Sequence, residues 1–310
     1  MRKIFLILSL LAGALQALAD KPAPAAPTPG DQEAAGQAAA AAGSDFIRVD
    51  QDEKAARLQT ALIRYQKDGT TVDLVGAVHM ADQAYYKRLN EIFTQYEAVL
   101  FEMVGGERMV EGAIPEPDGA DAQARMLRQV VGTMSRFLQL TGQLEEIDYG
   151  RENFVHADLT AEEFARKQEE RGESILSFAF AAAQNVEPGE GPQPNLGRML
   201  TALLAGDANG LKLEMMTSLG QGDDQIAAIA GDNVIVADRN DKCLEVLAEQ
   251  LEAGHKKLAI FYGAAHFPDM EKRLLEDGFR KEGQDWITAW DVPKHQPAPA
   301  VEEGAEAPAG

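Results

Sequence analysis

The sequence predicts an α/β fold in which helices flank a mixed central sheet. Short apolar runs typical of strands alternate with amphipathic helical patterns, and the first pair of runs has the spacing of an antiparallel hairpin. Two further runs end in the same Gly-x-x-His spacing, at His79 and His266. We expect both histidines at the carboxyl ends of strands, where open α/β sheets form their ligand crevice.

The two ends of the chain are predicted to lie outside this domain. Residues 1–19 have a basic start, an apolar stretch and a small-residue site ending at Ala19, which is typical of a secretory signal peptide cleaved after about Ala19. We therefore expect an exported protein, periplasmic or extracellular. Residues 20–44 and 293–310 are rich in Ala and Pro, which favours disorder. Residues 45–292 are predicted to form a single α/β domain.

Composition excludes some partners. The 310 residues carry a formal charge of −21, and removing Arg2 and Lys3 with the signal peptide brings it to −23. Such a charge disfavours nucleic acid as a partner. No apolar run after the signal peptide is long enough to span a membrane. The single cysteine, Cys243, cannot form an internal disulfide, and its helical pattern favours a buried, inert thiol.

The first half of the domain is predicted as a hairpin followed by a helix and a strand. A run at 58–65, a Lys67-Asp68-Gly69 turn and a returning strand at 71–75 deliver His79 to the sheet edge. Asp82 is placed to cap a helix that continues to about Tyr96. The strand at 98–101 then ends at Glu102, which would share the edge of His79 if the two strands are parallel neighbours.

The middle, about residues 115–225, is predicted to be a helical insertion between the two sheet halves, forming a cap over the crevice. Thr160 and Glu163 have the spacing of a capping box, which starts a helix through about Arg171. His156 follows an apolar pair, and we interpret it either as an additional ligand or acid–base group or as a structural histidine. Further helices are predicted at 120–140, 175–183, 196–205 and 211–219, and a loop at 188–194.

The last part repeats the order of helix, strand and histidine. A helix at 232–253 is stopped by Gly254, and the strand at 257–262 leads to His266. Pro268 suits the first turn of the next helix. Two terminal strands, at 279–281 and 286–290, are predicted to be antiparallel and near an edge.

These segments resemble the TraB/PrgY/GumN family, which includes the Tiki metalloproteases and is related more distantly to erythromycin esterase and the ChaN haem-binding proteins. The resemblance covers about residues 58–104 and 232–290. It implies an erythromycin esterase/ChaN-like fold. The motifs that carry it are Gly76-Ala77-Val78-His79, Val99-Leu100-Phe101-Glu102-Met103, Asp238-Arg239-Asn240, Phe261-Tyr262-Gly263-Ala264-Ala265-His266-Phe267-Pro268 and the Leu-Leu-Glu-Asp-Gly-Phe that follows.

The resemblance implies that His79, His266 and Glu102 surround a divalent metal and hydrolyse a peptide or other acyl bond. Two imidazoles and a carboxylate would leave a coordination position for water, whose acidity the cation raises. Mn²⁺ or Co²⁺ is what the family suggests, and mixed nitrogen and oxygen ligation also suits Zn²⁺. Glu102 could instead be the general base. The motif glycines, Gly76 and Gly263, would let the backbone turn tightly.

Arg239 has three interpretations: a partner behind the site, a clamp for a substrate carboxylate, or one half of a surface ion pair. Three functions also remain open. The first is an exported metal-dependent, peptidase-like hydrolase acting on a peptide or small acyl substrate. The second is a metal-free, esterase-like hydrolase with a histidine as general base. The third is a non-catalytic protein that binds haem or a peptide in the same crevice.

Overall fold

The structure is a computed structural model, which describes residues 46–108, 132–172, 195–219 and 236–294. Apart from 132–136, these residues belong to one compact unit formed by residues 42–115 and 137–310. The predicted signal peptide, the leader to residue 44, the helix at 175–183, the loop at 188–194 and the tail from 295 lie outside the described residues. So does most of the predicted helix at 120–140.

The described residues form an α/β structure with a mixed central sheet flanked by helices, as predicted. The strands are β1 (Ile47–Gln51), β2 (Ala55–Lys67), β3 (Thr70–Ala77), β4 (Met80–Ala81), β5 (Ala98–Phe101), β6 (Thr141–Gly142), β7 (Phe154–His156), β8 (Lys257–Gly263) and β9 (Arg280–Pro293). The helices are α1 (Gln83–Phe93), α2 (Gln143–Glu146), α3 (Ala161–Arg171), α4 (Leu196–Ala205), α5 (Ala208–Leu219), α6 (Ala237–Glu252) and α7 (Phe267–Glu276). No helix among them is both long and apolar enough to cross a membrane.

Seven strands form the main sheet. Their order is β1-β2-β3-β8-β5-β7, and β9 pairs with β2. The strands β3, β8, β5 and β7 are mutually parallel, whereas β2 is antiparallel to β1, β3 and β9. The short strands β4 and β6 pair with each other in a separate two-stranded sheet. The parallel half therefore brings the carboxyl ends of four strands to one edge.

The predicted hairpin is confirmed. Leu62 in β2 pairs with Val75 in β3, and the two strands are joined at Asp68 and Gly69, which have φ angles of 49° and 77°. A left-handed conformation at both positions is typical of a tight hairpin turn, and it favours the glycine.

Helix α1 begins where predicted, but the side chain of Asp82 does not cap it. Asp82 occupies the N-cap position without capping through its side chain. Its carboxylate instead accepts hydrogen bonds from the Lys212 ammonium (3.3 Å) and the Asp291 amide (2.7 Å). The buried face of α1 packs on the sheet through Phe93, whose ring centroid lies 5.5 Å from that of Phe154 and 4.8 Å from that of Phe261. This aromatic cluster joins α1 to β7 and β8.

The neighbour of β3 differs from the one the sequence suggested. Although β3 and β5 are parallel, β8 lies between them. The condition under which Glu102 would lie beside His79 is therefore not met, and the strand end next to Glu102 is that of β8. Local pattern along 71–101 could not show this order, because β8 begins more than 150 residues later in the chain.

Two other elements differ from the sequence prediction. The two predicted terminal strands are one long strand, β9, which follows β2 for most of its length with two register irregularities. The strand β7 lies within the segment predicted as a helical insertion, and it pairs in parallel with β5. Its three residues are too few for a period-2 pattern to be recognised. The Thr160–Glu163 capping box at the start of α3 is confirmed.

Candidate functional site

The candidate site lies where β5 and β8 end. Phe101 pairs with Phe261, so the next residue, Glu102, emerges beside the segment that follows β8. The Glu102 amide donates to the carbonyl of Phe261 (3.1 Å), which prolongs the ladder by one bond. After Gly263 the chain forms a 3₁₀ turn over Ala264–His266 and enters α7. Parallel pairing therefore brings Glu102 and His266 to one edge.

Both carboxylate oxygens of Glu102 are engaged by nearby groups. Oε2 accepts a hydrogen bond from the Gly263 amide at 2.6 Å, and Oε1 accepts one from Nη2 of Arg239 at 2.6 Å. Nε2 of His266 lies 3.6 Å from the same Oε1. A Cβ atom on residue 263 would stand 3.3 Å from Oε2. Glycine at this position thus permits the close approach of the carboxylate to the backbone.

Arg239 bridges the carboxylates of Glu102 and Asp158. It lies in the first turn of α6 and directs Nε and Nη2 at Asp158, with distances of 3.0 Å to Oδ1 and 2.6 Å to Oδ2. The Arg239 side chain is only 11% exposed and that of Asp158 is fully buried. This position matches the interpretation of Arg239 as a partner behind the site, because its guanidinium already contacts two carboxylates. With a neutral His266, the three charged groups sum to −1.

The electrostatics of this cluster keep Glu102 ionised. Burial by itself opposes ionisation, but His266 when it carries a proton on Nε2, the Arg239 guanidinium and the Gly263 amide outweigh it and hold the pKa of Glu102 well below its ordinary value. Nearby Cys243 is buried, and its burial raises the pKa of its thiol, which agrees with the inert cysteine predicted from the sequence.

His266 is buried, with 5% of its surface exposed, and its ring orientation is fixed. Nδ1 lies 2.6 Å from Oδ1 of Asn240, and the ring stands edge-on to Tyr262 with 5.2 Å between centroids. Asn240 follows Arg239 on α6, so adjacent residues of one helix contact the histidine and the glutamate. Asn240 belongs to a motif that carries the family resemblance, but no local pattern in the sequence indicates its contact with His266.

His79 occupies a different environment. It lies two residues beyond the end of β3 and is exposed. Nδ1 is 3.2 Å from the side-chain Oε1 of Gln143, and the backbone amide of Gln143 donates to the backbone carbonyl of His79. The pairing of β4 with β6, in which Met80 lies opposite Gly142, brings Gln143 to this position. Gln143 was not recognised in the sequence, because no local signal links residues so far apart.

His156 ends β7 at the same sheet edge. Its Nε2 donates a hydrogen bond to the carbonyl of Met103 at 2.7 Å, and its ring contacts that of Phe101. The half-buried imidazole thereby ties β7 to the turn after β5. This contact favours the structural interpretation of His156. Asp158, two residues further along, is the member of this stretch that pairs with Arg239 and so lies next to Glu102.

The metal site that the resemblance implies would need His79, His266 and Glu102 around one ion. Within the four described ranges, no group of three His, Cys, Asp or Glu side chains is arranged to hold an ion. Of the three predicted ligands, only Glu102 and His266 come together. A cation at Oε1 of Glu102 would also face the Arg239 guanidinium, which lies 2.6 Å from that oxygen. The arrangement does not fit the implied three-ligand site.

Comparisons with known protein families, with curated proteins and with solved structures found no match to this chain. The site must therefore be interpreted from its own geometry. That geometry consists of a buried imidazole with one nitrogen bound by Asn240, next to a carboxylate held by an arginine and a backbone amide.

Proposed function

We propose that this chain is an exported hydrolase of peptide or other acyl bonds, with His266 as the general base and Glu102 as its charged partner. The observation that carries the proposal is the orientation of His266. Asn240 engages Nδ1, and the opposite nitrogen, Nε2, points towards Glu102 at the carboxyl edge of the sheet. An imidazole fixed in orientation beside a buried carboxylate is an arrangement suited to removing a proton from water.

In the proposed reaction, a water molecule gives a proton to Nε2 of His266 while its oxygen attacks the carbonyl carbon of the substrate. The C–O bond forms, and the electron pair of the carbonyl moves to its oxygen. When the tetrahedral intermediate collapses, the carbonyl re-forms, the bond from carbon to the leaving nitrogen or oxygen breaks, and the proton on Nε2 passes to that leaving atom. During the cycle the imidazolium lies 3.6 Å from Oε1 of Glu102, and its positive charge offsets the net −1 of the cluster.

Arg239 and Gly263 have supporting roles in this proposal. They hold Glu102 as an anion and fix both of its oxygens, so that its charge faces His266 rather than solvent. The same motif residues support membership of the TraB/PrgY/GumN family and an erythromycin esterase/ChaN-like fold, which we include in the proposal. His79 is exposed and contacts Gln143, so the proposal gives it no part in the proton transfer.

The test measures hydrolysis of 4-nitrophenyl acetate and of fluorescently labelled casein by the full chain. We expect turnover of at least one probe, with a loss of about 100-fold or more in His266→Gln, the range seen when a general base is removed. His255→Gln is the matched control, because His255 lies at the end of α6 and bonds to Gln250. Full activity in His266→Gln, or no turnover of either probe by the wild type, would overturn the proposal.

A chelator separates the two hydrolase mechanisms. We expect turnover to persist in EDTA, because the described donors do not form a three-ligand site. Loss of turnover in EDTA, with recovery on adding Mn²⁺, Co²⁺ or Zn²⁺, would instead support the metal-dependent hydrolase that the resemblance implies.

A further inference from the structure

Asn240 is a fully buried polar residue of α6 whose amide faces three different groups. We propose that Asn240, oriented by Asp269, is a positioning residue that fixes His266 in the tautomer protonated at Nδ1. The inference rests on the proposed function for its catalytic meaning. The tautomer itself is a property of the folded chain, and it can be measured without any substrate.

The direction of the Asn240 amide follows from its surroundings. Its Nδ2 lies 2.8 Å from Oδ2 of Asp269 and 3.2 Å from the backbone carbonyl of His266. Both neighbours can only accept hydrogen bonds, so the amide must present its NH₂ group to them. In the flipped orientation, the amide oxygen would face two acceptors and lose both bonds. The carbonyl oxygen of Asn240 is therefore the atom that faces the imidazole.

The tautomer of His266 follows from this orientation. Oδ1 of Asn240 only accepts, and it lies 2.6 Å from Nδ1, so Nδ1 carries the proton. A neutral imidazole has a single N–H, which leaves the lone pair on Nε2. At 3.6 Å from Oε1 of Glu102, Nε2 stands beyond hydrogen-bond distance of the carboxylate, so this contact does not require a proton on Nε2. The chain thus leaves the basic nitrogen, Nε2, on the side of the ring that faces Glu102.

Asp269 sets the direction of the amide and is itself held in place. It lies in the first turn of α7, and Nε of Arg273 contacts it at 3.1 Å. Arg273 also pairs with Asp241 through Nη1 at 2.6 Å. The two carboxylates therefore share one arginine, but only that of Asp269 contacts Asn240. This difference supplies a matched pair of variants, Asp269→Asn and Asp241→Asn, each of which removes one charge next to Arg273.

The experiment records long-range ¹⁵N–¹H correlation spectra of the ¹⁵N-labelled full chain at a pH where imidazoles are neutral. The signals of His266 are assigned by their loss in His266→Gln. We expect the wild type and Asp241→Asn to show Nδ1 protonated and Nε2 unprotonated. Asp269→Asn should show a mixture of tautomers, because an amide at 269 can donate to Asn240 and allow it to flip. A structural role alone would leave the tautomer unchanged in Asp269→Asn.

Hydrolysis of 4-nitrophenyl acetate supplies the second measurement. We expect kcat to fall at least about tenfold in Asp269→Asn while its KM changes little, since histidine-orienting partners have effects of this size or larger. Both kcat and KM should change little in Asp241→Asn. A wild-type His266 protonated at Nε2, or equal tautomer changes in both variants, would overturn the inference. The predicted tautomer in a chain that hydrolyses neither probe would support the positioning of His266 and count against the proposed function alone.

Discussion

The two Gly-x-x-His segments have the same spacing and follow neighbouring parallel strands, yet their surroundings differ. His266 is buried, bonded to Asn240 and close to Glu102, whereas His79 is exposed and contacts Gln143. The register shows part of the reason. Gly76 lies opposite Tyr262 rather than Gly263, so the two motifs are offset by one residue across the sheet. Equal spacing along the chain therefore does not place the two histidines equivalently.

The glycines of the two segments also serve different purposes. At Gly263 the amide binds Glu102, and a Cβ atom would meet the carboxylate. At Gly76 a Cβ atom would stand 3.0 Å from Cβ of Thr60 on the adjacent β2, and the Gly76 carbonyl accepts from the Tyr85 hydroxyl. The first glycine therefore shapes a site, and the second allows close packing within the sheet. The chemistry of each motif is therefore set by contacts with other strands and helices of the fold.

The largest expected effect comes from removing Arg239, which pairs with Glu102 beside His266. Arg239→Leu leaves Glu102 and the fully buried Asp158 without their cation, and we expect a loss of about 3–5 kcal/mol in the free energy of unfolding. The measurement is urea denaturation. Arg88→Leu is the control, because the 59% exposed Arg88 pairs only with Glu91 in the described structure and should change stability by less than about 1 kcal/mol. Similar losses in both variants would contradict the buried cluster.

The two glycines give the next comparison. We expect Gly76→Ala to cost about 1–3 kcal/mol, because its Cβ would press on Thr60 and on the backbone of Ala61 within the sheet. Gly263→Ala should cost less than about 1 kcal/mol, since its nearest neighbour is the end of the Glu102 side chain, but should lower hydrolysis of 4-nitrophenyl acetate. Urea denaturation and initial rates measure the two effects. A larger loss of stability in Gly263→Ala than in Gly76→Ala would contradict these roles of the two glycines.

Acid should weaken the His266 side of the site through Glu102. Its folded-state pKa is depressed, so its contribution is fully present above the unfolded value of about 4.5 and is lost as pH falls below that value. Between about pH 4.5 and pH 3, the free energy of unfolding of the wild type should therefore fall more steeply than that of Glu102→Gln. The two slopes should differ by at most about 1.4 kcal/mol per pH unit. Glu91→Gln, at a 69% exposed position, is the control. Equal slopes in the wild type and Glu102→Gln would contradict a stabilising Glu102 anion.

Much of the fold follows from local sequence, and part of the site does not. The hairpin, the helix after Asp82 and the strand before His266 are set by short-range patterns, and each was predicted from them. The insertion of β8 between β3 and β5 depends on pairing between distant segments, which periodicity does not encode. Asp158 and Asn240 were missed as site residues for the same reason, since only tertiary packing shows that they face Arg239 and His266.

The most direct test of the account is the ratio of rates for His266→Gln and His79→Gln on 4-nitrophenyl acetate, measured beside the wild type under identical conditions. We predict a loss of about 100-fold or more in His266→Gln and less than about tenfold in His79→Gln, because only His266 is placed to accept a proton beside Glu102. Equal, large losses in both variants would contradict the account, since they would show that the two histidines act as one site.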